Sequence, residues 1–107
     1  MSNTKEAKIV LPGNGEAINI LGTNDENLKF IIKHSDARII ARGNELLVSG
    51  KEQSVAGIVK LFDQLSKLSL KGNQINIATI NYTMKMLENR LDDQREIGDV
   101  LSKVLAI

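Results

Sequence analysis

One histidine, no cysteine and scattered carboxylates leave this chain few groups for bond-making chemistry. His34 has no nucleophile with an adjacent base, so a structural place near a helix end is its plainer reading. Asp92-Asp93 is a lone acidic pair, too little to hold a metal ion, and reads as a helix start. Gly13-x-Gly15 lacks the third glycine and the preceding strand of a dinucleotide site. Gly50-Lys51 looks like the end of a phosphate-cradling loop, but no glycine stands at position 45 and Glu52 takes the place of Ser/Thr. No catalytic, metal-binding or cofactor-binding residue is therefore assigned.

A different constellation gathers in the first half. Gly22-Thr23-Asn24-Asp25 is a polar turn opened by a glycine, and Lys29, Lys33, His34, Arg38 and Arg42 crowd beside it. Backbone N–H groups at a helix N-terminus can receive a phosphate, and cationic side chains nearby can neutralise its neighbours. Gly22, Thr23, Asn24, Lys29, Lys33, Arg38 and Arg42 are the candidate nucleic-acid contacts. The plainer reading of the same residues is a tight turn, a helix cap and a solvated face.

The elements that must position these residues follow from spacing. Lys8–Leu11 is a short strand or an extended lead-in, and Pro12-Gly13-Asn14-Gly15 is a turn. Glu16–Leu21, with Ile18 and Ile20 on one side and Asn19 on the other, predicts a strand. Gly22 breaks it. Thr23-Asn24-Asp25-Glu26 fits a capping box and predicts a helix with Leu28, Ile31 and Ile32 on its apolar face, ending near His34-Ser35. Arg38–Arg42 and Glu45–Ser49 predict a hairpin around Gly43-Asn44, with Arg38, Ile40 and Arg42 on one face. Val55, Ile58, Val59, Phe62, Leu65 and Leu68 form an apolar stripe at helical spacing, and Gly72 is a helix stop. Asn76 predicts a cap for a helix through Ile80, Met84 and Leu87 to about Asn89. A further helix from Asp92-Asp93 would carry Ile97, Val100, Leu101, Val104 and Leu105 as an apolar interaction stripe, docked on the module or on something outside it. The expected fold is α+β: a βαββα unit over residues 1–72 with a small three-stranded sheet on helices, then an appended helical segment over 73–107.

Composition bounds the rest. The 107 residues, 42% hydrophobic and 25% charged, suit one modest globular core. Fourteen basic and 13 acidic residues give a net charge of +1, so a basic surface must come from local placement. Only Phe30, Phe62 and Tyr82 are aromatic, which excludes a multi-ring stacking platform. No signal-peptide pattern or stretch of about 20 apolar residues is present, and the expected location is the cytoplasm.

Two runs carry a resemblance. The first is Leu11-Pro12-Gly13-Asn14-Gly15-Glu16 leading into Ile20-Leu21-Gly22-Thr23-Asn24-Asp25-Glu26-Asn27-Leu28-Lys29. The second is Ala37-Arg38-Ile39-Ile40-Ala41-Arg42-Gly43-Asn44-Glu45, closing on Val48-Ser49-Gly50. Together they resemble the N-terminal domain of bacterial PhoH-family proteins, the phosphate-starvation-inducible P-loop ATPases. The resemblance implies a KH-like module linked to RNA metabolism. Such modules hold single-stranded nucleic acid along a G-x-x-G loop between helices. Gly22 matches the first loop glycine and Asp25 stands at the second. It also implies a P-loop domain beyond Ile107 that binds ATP and magnesium. The expected role is a non-catalytic accessory domain that binds or positions single-stranded RNA. The alternative is an interaction or oligomerisation module that regulates the ATPase, with its own ATPase domain or a second copy as partner.

Overall fold

Buried apolar residues recur every second position in some segments and every third or fourth in others, and the elements follow those changes of period. A computed structural model describes residues 4–92. The order is β1 (Thr4–Val10), α1 (Asn14–Leu21), a 3₁₀ turn (Thr23–Asp25), α2 (Glu26–Lys33), β2 (Arg38–Arg42), β3 (Glu45–Lys51), α3 (Glu52–Leu70) and α4 (Ile77–Asp92). The three strands form one antiparallel sheet in the order β1-β3-β2. The small α+β fold with a three-stranded sheet is thus as the sequence implied.

Alternation divides the sheet into two faces. Ile39, Leu46 and Val48 are buried on one face, with Ala7 and Ile9 packed beside them. There they meet Val55, Ile58, Leu61, Phe62 and Leu65 of α3, which share one helical stripe. Ile20 of α1, Ile31 of α2 and Ile80 of α4 complete the same core. Val10, Ile40 and Leu47 are exposed on the other face. The hairpin is tied to the rest at Leu11, whose N–H donates to the Asn44 carbonyl at 2.8 Å. The Asn44 side chain donates back to the Leu11 carbonyl at 3.2 Å.

Helix ends follow local chemistry. α3 stops in a Schellman arrangement: Gly72 takes φ 93 and its N–H donates to the Ser69 carbonyl, while the Asn73 N–H donates to that of Leu68. Asn76 caps α4, its Oδ1 accepting from the Thr79 N–H at 2.9 Å.

The structure corrects four expectations. Glu16–Leu21 lies in α1, not in a strand. The apolar face is Ala17, Ile20 and Leu21, all buried, while Ile18 points out at 65% exposure. The third strand of the sheet is instead β1. The capping box does not form: Thr23 enters the 3₁₀ turn, α2 begins at Glu26, and no side chain caps it. Ile32 and Val59, expected on apolar faces, are exposed, and Leu61, absent from the expected stripe, is buried. α4 runs past Asn89 to Asp92. The last expected helix, with Ile97, Val100, Leu101, Val104 and Leu105, lies outside the described residues.

Candidate nucleic-acid interface

The turn that opened the strand-to-helix reading joins two helices. α1 ends where Gly22 adopts φ 85 and ψ 165, its N–H donating to the Ile18 carbonyl at 2.8 Å. A Cβ at Gly22 would lie 2.9 Å from Asn27 Cγ and 3.0 Å from the Asn27 nitrogen. Both dihedral and space therefore require glycine here. Asn24 and Asp25 follow at φ 56 and 58. Asn and Asp are the non-glycine residues that tolerate this left-handed region best. The Asp25 N–H closes the turn onto the Gly22 carbonyl at 3.1 Å. Thr23, Asn24, Asp25 and Glu26 are all exposed, so the turn presents polar atoms at the start of α2.

What holds the turn is a buried polar knot. Asn27 is 2% exposed. Its Nδ2 donates to the Ile20 carbonyl at 3.2 Å and the Ile75 carbonyl at 3.0 Å. Asn19 completes the tie, its Nδ2 donating to Ser69 Oγ and the Asn73 carbonyl, both at 2.9 Å. Its Oδ1 accepts from the Ile75 N–H at 3.0 Å. Two asparagines thus join the end of α1, the start of α2 and the α3–α4 connection. Sequence reasoning missed both. The signal for Asn27 is its place four residues before Ile31, a polar residue on the apolar side of a helix.

The candidate cations fall on two sides. Lys29 and Lys33 stand on the exposed side of α2, in the helical layer that carries the turn. Arg38 and Arg42 are exposed on β2, on the face turned away from the helices, because Ile39 between them is buried in the core. Gly22, Thr23, Asn24, Lys29 and Lys33 share one continuous stretch; the arginines do not join it. His34 ends α2, with Nδ1 donating to the Phe30 carbonyl at 2.9 Å and its ring 4.3 Å from that of Phe30. Among the described residues no helix is long and apolar enough to cross a membrane.

No protein-family model matches the chain. It is 36% identical over 66 residues to a PhoH-like protein of Synechocystis, covering 62% of this chain and 20% of that protein. It is 34% identical over 71 residues to a PhoH-like protein of Bacillus subtilis, covering 66% of this chain and 22% of that one. The chain therefore spans about a fifth of the length of the curated relatives it matches. A crystal structure of a protein of unknown function from Aeropyrum pernix shares the fold, with a TM-score of 0.62 at 12% identity. The superposition covers 96% of this chain and 56% of that one. Over about two thirds of its length, this chain is similar to one stretch of these PhoH-like proteins.

Proposed function

We propose that this module binds or positions single-stranded RNA as a non-catalytic accessory domain of a cytoplasmic PhoH-type ATPase. The observation that carries the reading is the placement of Gly22-Thr23-Asn24-Asp25. It lies between two helices, α1 and α2, in a β-α-α-β-β-α order. A KH module holds its nucleic-acid backbone on a G-x-x-G loop in such a position. Gly22 leaves no room for a side chain, Thr23 and Asn24 are exposed, and Lys29 and Lys33 follow on the exposed side of α2. In this reading the turn receives a phosphate and the two lysines neutralise its neighbours. Asp25 works against it, because a carboxylate beside a phosphate is repulsive. In a PhoH-type protein, ATP and magnesium would occupy a separate P-loop domain, and this module would act on RNA presented to that domain.

Titrating labelled single-stranded RNA at two salt concentrations tests the reading. Binding should weaken as salt rises, with a slope of about 0.7 per phosphate contact. Lys29→Glu with Lys33→Glu should abolish most of it, and Asp25→Gly should tighten it. No salt-sensitive binding at high micromolar protein would overturn the reading.

A further inference from the structure

The sheet leaves one cationic edge without a described partner. β2 pairs with β3 on one side only, and no strand among the described residues occupies its other side. An unpaired edge offers a row of backbone donors and acceptors to any extended chain. On the exposed face of β2, Arg38 and Arg42 bracket Ile40, which is 42% exposed. The ion pairs among the described residues are Lys5–Glu52, Lys8–Glu45 and Lys67–Asp63, and neither arginine takes part. Glu45 lies across from Arg42 in the register, yet its carboxylate reaches Lys8 at 3.3 Å instead. Cross-strand rows run Glu6–Ser49–Arg38, Lys8–Leu47–Ile40 and Val10–Glu45–Arg42, so each row ends at the edge on the β2 residue.

This pattern discriminates between occupants. A second copy pairing antiparallel through β2, with Ile40 opposite Ile40, would set Arg38 against Arg42 twice. Shifting the register by two residues leaves one arginine opposite Ile40 and the other opposite Asp36 or Asn44, beyond the strand; shifting by four sets Arg38 against Arg38 or Arg42 against Arg42. Shifting by one turns the side chains to opposite faces. Like charges directly opposite are destabilising, so the edge resists its own copy in the centred register, the one that pairs all five residues of β2. An extended peptide with carboxylates two positions either side of an apolar residue meets the reverse situation. Each carboxylate faces a guanidinium able to bind it in a two-pronged hydrogen bond. The apolar residue extends the Leu47–Ile40 row.

We propose that the open edge of β2 docks an acidic extended peptide, which joins the sheet as a fourth strand with carboxylates opposite Arg38 and Arg42 and an apolar side chain opposite Ile40. This surface is separate from the turn, and its success or failure is independent of RNA binding there.

The test uses the full chain and a labelled peptide, Thr-Glu-Thr-Ile-Thr-Glu-Thr, with a counterpart carrying lysine for glutamate. Fluorescence anisotropy should show salt-sensitive binding of the glutamate peptide, at least about tenfold tighter than its counterpart. Arg38→Glu with Arg42→Glu should reverse the preference. Both arginines are exposed, so an unchanged thermal midpoint verifies that the variant folds. Amide exchange should slow along β2 in the complex. Equal binding of the two peptides, no binding at millimolar protein, or exchange protection away from β2 would overturn the proposal. So would a tenfold loss of RNA affinity in the double variant with peptide binding unaltered, which would give the edge to nucleic acid.

Discussion

Two glycines share a positive φ but differ in what surrounds them. Gly22 takes φ 85 and Gly72 takes φ 93. A Cβ at Gly72 meets nothing within 4 Å, whereas one at Gly22 meets Asn27 and Glu26 at 2.9–3.0 Å. Gly72→Ala should therefore cost about 1 kcal/mol, the left-handed penalty alone. Gly22→Ala should cost about 2–4 kcal/mol, because φ 85 with ψ 165 is a glycine-only conformation and the added Cβ crowds Asn27. Urea unfolding of the two variants reads the difference directly, and equal losses would show that neither the backbone conformation nor the crowding at Gly22 adds a penalty. The type of Gly22 was legible in the sequence, because a glycine before polar turn residues marks a break in any element. Its second reason was not legible, since the collision with Asn27 exists only once α2 folds back against α1.

At the scale of elements, legibility tracked length and local chemistry. α3 was readable because its 19 residues repeat the apolar stripe over five turns. The hairpin was readable because β-formers flank Gly43-Asn44. α1 was not: its eight residues hold too few turns for period to emerge, and Ile18 and Ile20 imitate strand alternation. Only burial separates the two patterns, because the core takes Ala17, Ile20 and Leu21 and leaves Ile18 outside. The failed capping box has a similar cause. Thr23 and Glu26 have the right spacing, but left-handed Asn24 and Asp25 interrupt the helix between them. Asn76 is the contrasting case, a cap legible in sequence and formed in the structure. Its Oδ1 accepts from both the Thr79 N–H and the Thr79 hydroxyl. Asn76→Ala should cost about 1 kcal/mol. Amide exchange should then quicken in the first turn of α4 and stay unchanged in β3; uniform quickening would mean that the cap serves the whole core.

At the scale of the molecule, the candidate turn is fixed from the inside by a residue that touches three elements. Asn27 reaches the Ile20 carbonyl at the end of α1 and the Ile75 carbonyl before α4, while its own backbone belongs to α2. No buried side-chain nitrogen or oxygen among the described residues lacks a partner, so the knot is complete. Completeness makes it sensitive, because removing one donor strands carbonyls that water does not easily reach. Asn27→Ala should cost about 2–3 kcal/mol, since two stranded carbonyls exceed the loss of one ordinary hydrogen bond. The loss should also be distributed. Exchange should quicken at Ile75 and in the turn together, while β2 and β3, held by their own ladder and by Phe62, keep their protection. If the turn loosens and Ile75 does not, the two sides are held separately. If stability falls by less than about 0.5 kcal/mol, the knot fills space without holding the turn. RNA affinity of the same variant then ties the scales together: a turn that must be pre-formed should lose binding even where temperature and denaturant leave the molecule folded.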